Sequence, residues 1–306
     1  MLKKLLVSGA ALAFAFAGAP ALAQQAAPAA PAAAVATRDA DPALWVVKDD
    51  DTTIYLFGTV HVLKPGLSWF DEAVKTAFDK SDTLVLEMIE PDPATMQALM
   101  MKMVINLDGP NLSAQLPEEK RAAFAAAMSE AGTPAAGYER FDPWFASLVI
   151  TLTKVAKLGY DPNQGAEKTL TAAAKAAEKP IVGLETAEEQ LGFFDKLPQA
   201  VQVKYLEVTL DQLPKTGEML DKMVESWAKG DPDTLAAVMN EGMAETPEVN
   251  KAILVDRNVR WADWIAERMK KPGTVFIAVG AGHLAGPDSV QTYLAARKLK
   301  TERVKY

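Results

Sequence analysis

The chain has 306 residues, and 40 acidic against 32 basic side chains give it a formal net charge of −8. This acidic balance argues against nucleic acid or an anionic membrane surface as the main partner. Cysteine is absent, which excludes disulfides, thiolate metal sites and lipid attachment to a cysteine.

The first 23 residues have the three parts of a secretory signal peptide. Lys3 and Lys4 provide the basic start, residues 5–17 form an apolar run, and residues 21–23 (Ala-Leu-Ala) are a small-x-small cleavage site. The apolar run is shorter than the roughly 20 residues that span a bilayer, which disfavours the alternative of an uncleaved anchor. We therefore predict a periplasmic or secreted, non-lipidated protein that keeps no membrane span after cleavage.

An Ala- and Pro-rich segment, residues 24–40, follows the signal. Its side chains cannot bury enough surface to offset the entropy of ordering, so the segment is predicted to be a flexible linker. Residues 41–306 show no second linker and no repeat with a period of 20–50 residues, and they are predicted to form a single domain.

Short apolar segments typical of buried strands alternate with helical patterns along this domain. Strands are predicted at residues 44–47, 53–57, 83–87, 179–184, 273–279 and 301–304. Helical spacing occurs at residues 68–79, 186–196, 199–229, 250–270 and 288–298, and a large, mainly helical insertion covers residues 91–177. The alternation predicts an α/β fold in which helices surround a mixed sheet.

Four polar residues lie at or just beyond the carboxyl ends of predicted strands. They are His61, Glu87, Glu185 and His283. Ligand crevices in open α/β sheets lie at the carboxyl ends of the strands. We therefore expect these four side chains to share one edge of the sheet and one crevice.

The chain contains only two histidines, and each lies three residues after a glycine, in Gly58-Thr59-Val60-His61 and Gly280-Ala281-Gly282-His283. The glycine is expected to let the backbone turn sharply and to present the histidine in the crevice. Imidazole is a good ligand for Zn, Mn, Co and Fe, so the pair predicts a metal site. A lone histidine is more often an ordinary structural side chain, but the shared context favours a ligand role here.

Glu87 and Glu185 each end a buried strand, where a carboxylate is costly unless it is paired or bound to a ligand. Two histidines and one or two carboxylates could hold a metal that activates water, while a second carboxylate acts as general base. The alternative for both glutamates is an exposed strand end, and Glu185 could also cap the helix that begins near Thr186.

Arg257, which precedes Asn258 on a predicted helix, is a further candidate. Arginine can hold a ligand carboxylate or a neighbouring glutamate through two hydrogen bonds. Spacing alone favours a different interpretation, a solvated helix face that Arg257 shares with Asp256 and Arg260.

Together these segments resemble the TraB/GumN family, within the wider group that includes the Tiki metalloproteases and the erythromycin-esterase/ChaN-like proteins. The matching segments span about residues 44–306. They are residues 44–45, 55–61, 84–87, 182–186, 257–258 with 261, and 279–284. The resemblance implies a two-half α/β fold with paired Gly-x-x-His motifs, and in Tiki-like members metal-dependent proteolysis supported by Mn or Co.

Carried over to this chain, the resemblance assigns one residue to each family motif position. The motif histidines, glutamates and arginine are His61 and His283, Glu87 and Glu185, and Arg257. Residues 165–167 also resemble a family loop, but Gly-x-Glu stands where Gly-x-Asp would be expected. Glu167 is therefore left out of the predicted site.

The leading hypothesis is a periplasmic metal-dependent hydrolase, similar to a metalloprotease, that acts on peptide bonds. His61, Glu87 and His283 would hold a divalent metal, Mn or Co by resemblance, with Zn also compatible. Glu185 would orient or deprotonate water, and Arg257 would hold a substrate carboxylate or order the glutamates. The alternatives are a non-catalytic protein that sequesters a peptide or other small ligand in the same crevice, and an accessory factor for envelope polysaccharide export. The sequence does not indicate which oligomeric state the protein adopts.

Overall fold

Runs of β-branched and aromatic residues form the central strands, which are buried on both faces. The computed structural model describes residues 37–306. Within this range the strands are β1 (Arg38–Asp39), β2 (Leu44–Lys48), β3 (Thr52–Thr59), β4 (Leu67–Ser68), β5 (Thr83–Met88), β6 (Ile181–Glu185), β7 (Gly273–Gly280) and β8 (Glu302–Arg303).

Helices form the rest of the regular structure, including the predicted insertion between β5 and β6. They are α1 (Glu72–Lys80), α2 (Pro93–Val104), α3 (Leu112–Gln115), α4 (Glu118–Glu130), α5 (Pro143–Lys157), α6 (Ala166–Ala176), α7 (Ala187–Asp195), α8 (Gln199–Gln212), α9 (Thr216–Ala228), α10 (Pro232–Met243), α11 (Pro247–Asn250), α12 (Asp256–Arg268) and α13 (Val290–Ala296). A π-helical segment, Lys251–Val255, joins α11 to α12, and a 3-10 turn, Ala281–Leu284, follows β7.

The main sheet has six strands in the order β6-β5-β7-β3-β2-β8, while β1 and β4 form a separate parallel pair. β3, β5, β6 and β7 run parallel to one another, and β2 runs antiparallel to β3. The register places Gly58 opposite Val279 and Thr59 opposite Gly280, so the carboxyl ends of β3 and β7 lie side by side. The prediction of an α/β fold with a mixed sheet and surrounding helices is confirmed.

The hydrophobic core lies on both faces of the sheet, and successive residues of β7 alternate between them. Phe276 and Ala278 pack in a cluster with α1, α6 and α9. Val275 and Ile277 pack in a second cluster with α12 and α13. This second layer fixes α12 against the sheet and brings Arg257 towards the edge where the parallel strands end.

Several helical segments differ from the sequence-based prediction, and two of the differences have a clear physical cause. The helix predicted from residue 68 begins at Glu72, because Leu67–Ser68 pairs with β1 instead. The continuous helical pattern at residues 199–229 is interrupted by a 3-10 turn, Leu213–Lys215. Its central residue is a proline, which has no N–H for a helical hydrogen bond.

The predicted signal peptide, residues 1–23, lies outside the described residues, as does most of the predicted linker. Among residues 37–306, regular structure begins with β1, a little before the predicted domain boundary at residue 41. Within residues 37–306, no helix is both long enough and apolar enough to cross a membrane.

Candidate functional site

The parallel strands bring the predicted site residues to one edge of the sheet. His61 lies two residues beyond β3, Glu87 is in β5, Glu185 ends β6, and His283 lies in the 3-10 turn after β7. Arg257 reaches the same place from α12 and contacts Glu87, Glu185 and His283. The expected convergence of the strand ends is therefore present in the structure.

The two Gly-x-x-His motifs lie directly against each other. A Cβ added at Gly58 would be 3.0 Å from the Cα of Ala281. A Cβ added at Gly280 would be 3.1 Å from Nε2 of His61 and 3.2 Å from Oε1 of Glu87. Neither glycine has a positive φ, so the backbone conformation at these positions does not itself require glycine. The site and the neighbouring motif occupy the space that a side chain would need.

Arg257 is the buried centre of the site, with 1% of its side chain exposed. Its Nε donates to both carboxylate oxygens of Glu185, at 3.0 and 3.1 Å. Its Nη2 donates to Glu185 at 2.7 Å and to Glu87 at 2.5 Å, and Nη1 donates to the carbonyl of Ile253 at 3.1 Å. The interpretation of Arg257 as part of a solvated helix face is therefore wrong. Full pairing with two carboxylates makes the burial of its charge tolerable.

Glu185 is surrounded by hydrogen-bond donors. Besides Arg257, Trp261 donates to it through Nε1 at 3.0 Å and Gln190 through Nε2 at 3.1 Å. The carboxylate therefore faces Arg257 and the indole instead of open solvent. The alternative in which Glu185 caps the next helix is wrong, because Thr186 is the N-cap of α7 and forms a capping box there.

Glu87 links the buried arginine to the second Gly-x-x-His motif. Its Oε1 accepts a hydrogen bond from the backbone N–H of Gly280 at 2.7 Å, and its Oε2 accepts from Arg257 at 2.5 Å and Gln190 at 3.3 Å. Burial by itself would raise the pKa of Glu87, but the charge of Arg257 holds this pKa far below its ordinary value. Glu87 is therefore ionised. Sequence reasoning missed Gln190, since its position in the first turns of α7 carries no motif.

His283 is held in one tautomer by its two neighbours. Its Nδ1 lies 2.6 Å from Oδ1 of Asn258, whose own Nδ2 donates to the carbonyl of Asp288 at 2.7 Å. Its Nε2 lies 3.2 Å from Nη1 of Arg257, which can only donate. The network thus assigns the proton to Nδ1 and leaves a lone pair on Nε2. Burial and the charge of Arg257 lower the pKa of His283 from 6.5 to about 3, so the ring is neutral.

His61 is held by a glutamate that was left out of the predicted site. Oε1 of Glu167 lies 2.6 Å from Nδ1 of His61 and also accepts a hydrogen bond from the hydroxyl of Thr59. Burial lowers the pKa of His61, but the charge and hydrogen bond of Glu167 outweigh burial and raise this pKa to about 9. The exclusion of Glu167 was therefore a mistake. The available signal was Gly165-x-Glu167 itself, because Gly165 lets α6 begin against the backbone carbonyl of His61.

The donor atoms at this edge have the chemistry of a divalent metal site. Nδ1 of each histidine is engaged by a neighbouring oxygen, so Nε2 is the nitrogen that could bind an ion. In His283 the ion would have to displace the hydrogen bond that Nη1 of Arg257 donates to Nε2. Nε2 of His283 lies 3.7 Å from Oε1 of Glu87, a separation that two ligands of one ion at 2.0–2.2 Å can have. Nε2 of His61 and Oε1 of Glu87 flank the same small space above Gly280.

The charge balance of the site also suits a cation. The carboxylates of Glu87, Glu167 and Glu185 are matched by Arg257, by the half-exposed Arg260 and by the protonated His61. The site becomes net negative when His61 gives up its proton, as binding of an ion to Nε2 would require. Within residues 37–306, no three His, Asp or Glu side chains are already close enough together to hold an ion. In donor type, two imidazole nitrogens and a carboxylate, the residues fit a divalent cation.

Two clefts open at the site, and His61 lines both of them. The first, which we term the apolar cleft, encloses about 930 Å³ including its mouth and is also lined by Gly280 and His283. The second, the mixed groove, encloses about 1330 Å³ including its mouth and is also lined by Glu87 and Glu167. An extended ligand that passed from one cleft to the other would cross His61.

Comparison with known proteins places this architecture in a family. The sequence model of the TraB/PrgY/gumN family matches residues 43–303. The chain is 23% identical over 254 residues to the uncharacterized protein YbaP of Escherichia coli (strain K12), covering 83% of this chain and 92% of that protein. It is 22% identical over 269 residues to an uncharacterized protein of Treponema pallidum (strain Nichols), covering 83% and 80% of the two chains. No solved structure matches the chain. Because the family match extends over nearly all of the described domain, this chain belongs to the TraB/PrgY/gumN family.

Proposed function

We propose that this chain is a periplasmic, metal-dependent hydrolase that cleaves peptide bonds at the crevice formed by His61, Glu87 and His283. The observation that carries the proposal is the common orientation of the two imidazoles. Each has Nδ1 engaged by an oxygen, from Glu167 or from Asn258, and turns Nε2 towards an ionised Glu87, where a metal would replace the Arg257 hydrogen bond to His283 and the proton of His61. Such pre-oriented ligands are characteristic of metal sites.

A divalent metal held by these three residues, Mn, Co or Zn, would supply a Lewis acid and lower the pKa of bound water. The chain's own residues have separable tasks around it. Arg257 neutralises Glu87 and Glu185 and keeps their carboxylates in place. Glu167 keeps Nδ1 of His61 protonated and thereby presents Nε2 to the crevice.

The sequence-based hypothesis gave the task of general base to Glu185. The carboxylate of Glu185 accepts hydrogen bonds from Arg257, Trp261 and Gln190, so we assign it to positioning Arg257. Glu167 accepts hydrogen bonds from His61 and Thr59 on the Nδ1 side of the imidazole, so we assign it to orienting His61.

The experiment uses protein purified without a histidine tag. Its metal content is measured by elemental analysis, and a peptide mixture is incubated with the protein and analysed by mass spectrometry. We expect cleavage that a chelator abolishes and that Mn, Co or Zn restores. The double variant His61→Ala/His283→Ala is the control for a contaminating protease, since it should bind no metal and cleave nothing.

Two other outcomes decide between the alternatives. Stoichiometric metal or tight peptide binding without any turnover would support a non-catalytic protein that sequesters a ligand in the same crevice. If the protein binds neither metal nor peptide, the proposal is contradicted. The accessory role in polysaccharide export would then be the alternative that is left.

Export is a separate part of the proposal. It is supported by the basic start, the apolar run and the Ala-Leu-Ala site at residues 21–23. N-terminal sequencing of protein from the envelope fraction is expected to begin at Gln24. Recovery of the intact Met1 terminus from the membrane would contradict cleavage.

A further inference from the structure

The apolar cleft is continuous with the proposed metal site, because His61, Gly280 and His283 are among the residues that line it. α9, α10 and the π-helical segment before α12 provide most of its other lining. Six of the lining side chains are apolar yet only partly buried: Val60, Met223, Val224, Met239, Leu254 and Ala281. Apolar side chains that remain partly exposed in a concave surface are stabilised when an apolar group covers them.

Met239 connects this cleft to the second Gly-x-x-His motif. Its terminal methyl group packs so closely on Gly282 that a Cβ added there would collide with it. Methionine side chains are flexible and polarisable, and they adapt to ligand side chains of different shape. Met223 and Met243 line the same cleft.

The polar groups of the cleft indicate what kind of ligand it takes. Within residues 37–306, no Asp, Glu, Lys or Arg side chain lines it, and His61 is already paired with Glu167. A charged ligand group would therefore lose its hydration there without a free partner. Asn240 and Asn250 also line it, and their side-chain amides could hydrogen-bond to a ligand. An amide can both donate to and accept from a peptide backbone, whereas an acyl chain offers it nothing.

We propose that the apolar cleft is a specificity subsite that binds one large apolar side chain of a peptide, such as leucine, methionine or phenylalanine, next to the bond held at His61, Glu87 and His283. The cleavage of that bond rests on the proposed function. The binding of the side chain does not depend on the proposed function, and it can be measured without turnover.

The test uses five fluorescein-labelled pentapeptides, Ala-Ala-X-Ala-Ala, in which X is Leu, Met, Phe, Gly or Glu. Their affinities are measured by fluorescence anisotropy in EDTA, which prevents metal-dependent cleavage. The Leu, Met and Phe peptides are expected to bind about ten- to one-hundred-fold more tightly than the Gly peptide, as burial of one such side chain predicts. The Glu peptide is expected to bind no more tightly than the Gly peptide.

Three variants tie the preference to the cleft. Met239→Gln is nearly isosteric and should remove most of the preference for Leu, Met and Phe. Met239→Lys places a cation in the cleft and should make the Glu peptide the better ligand. Met101→Lys, at an exposed methionine of α2 that does not line the cleft, is the matched control and should bind like the wild type. Thermal melting curves verify that each variant is folded.

The outcomes separate this subsite from the hydrolase itself. Equal affinity for all five peptides, no binding of any of them, or identical behaviour of the Met239 and Met101 variants would overturn the subsite. Preferential binding of apolar peptides that are never cleaved after metal is added would retain the subsite and contradict the hydrolase. Cleavage of all five peptides at equal rates, whatever residue X is, would support the hydrolase and contradict the subsite.

Discussion

The imidazole of His61 lies directly over Gly280, so that a Cβ on this glycine would be 3.1 Å from Nε2. These two residues belong to different Gly-x-x-His motifs, one on β3 and one on β7, which pair in parallel. The contact places the proposed ligand atom of the first motif above the backbone of the second. The small space between them is bounded on its other side by Oε1 of Glu87.

Gly280→Ala is expected to fill this space and weaken metal binding by at least about tenfold, within the range for changes around a metal site. The φ of Gly280 is −48°, so alanine causes no backbone strain. Metal affinity and urea unfolding are measured together. Gly58→Ala is the contrasting variant, because its Cβ would meet the backbone of Ala281 at 3.0 Å and should destabilise the fold. Wild-type metal affinity in Gly280→Ala would show that the ion does not bind in this space.

Arg257→Met is expected to lower the free energy of unfolding by about 3–5 kcal/mol, because it leaves the charges of Glu87 and Glu185 buried without their main partner. Arg260 is the matched control on the same helix. Its side chain is half exposed, and its single contact with Glu185, at 3.3 Å, is longer than those of Arg257. Arg260→Ala should therefore lower the free energy of unfolding by less than about 1 kcal/mol. Denaturant titrations of both variants provide the comparison. Equal losses would show that Arg257 does not act through a buried ion pair.

Glu167→Gln removes the charge that raises the pKa of His61. The pKa of His61, about 9 in the metal-free protein, is expected to fall by about 1–3 units, which is the usual effect of one nearby opposite charge. NMR titration can follow this directly, since the chain has only two histidines. Glu90→Gln, at a glutamate paired with Lys168 beside the mixed groove, is the control and should leave this pKa unchanged.

The two histidines are expected to change stability with pH in opposite directions in the metal-free protein. His283 has a folded pKa of about 3, so the unfolded chain takes up a proton below about pH 6.5 while the folded protein does not. Its contribution therefore makes the free energy of unfolding fall as the pH drops from 6.5 towards 3. His61 has a folded pKa of about 9, so its contribution is complete below pH 6.5 and is lost as the pH rises through 9.

Denaturant unfolding in EDTA between pH 5 and 9 measures both contributions. His283→Gln should flatten the stability profile between pH 5 and 6.5, whereas His61→Gln should flatten it between pH 6.5 and 9. The same slope in both variants as in the wild type would mean that neither ring has the protonation state described above.

Glu87→Gln and Glu185→Gln distinguish a metal ligand from a positioning residue. Glu87→Gln should reduce metal occupancy, because a neutral amide is a poorer ligand than a carboxylate. Glu185→Gln should retain the metal and lower stability, since Arg257 loses its bidentate partner. Metal content, turnover and unfolding are measured for both variants in parallel. Loss of metal in Glu185→Gln with full occupancy in Glu87→Gln would exchange the two roles.

The positions of the strands could be predicted because burial and strand period are local properties of the sequence. Once the strands were placed, the site residues followed, since His61, Glu87, Glu185 and His283 all lie at carboxyl ends of strands. The role of the glycines could not be predicted in this way. Gly58 and Gly280 are needed for a close approach between two strands that are far apart in the chain, and no local pattern distinguishes this from a turn.

By itself, the sequence determined the α/β architecture, the family and the edge of the sheet where the polar residues meet. Only the tertiary structure decided the partner of each residue: Glu167 with His61, Asn258 with His283, and Arg257 between two glutamates. The pair Arg257 and Glu185 is separated by 72 positions. Hydrogen-bond partners depend on the relative orientation of side chains from different elements. That orientation is fixed by the packing of helices on the sheet, and it cannot be deduced from the spacing of residues along one element.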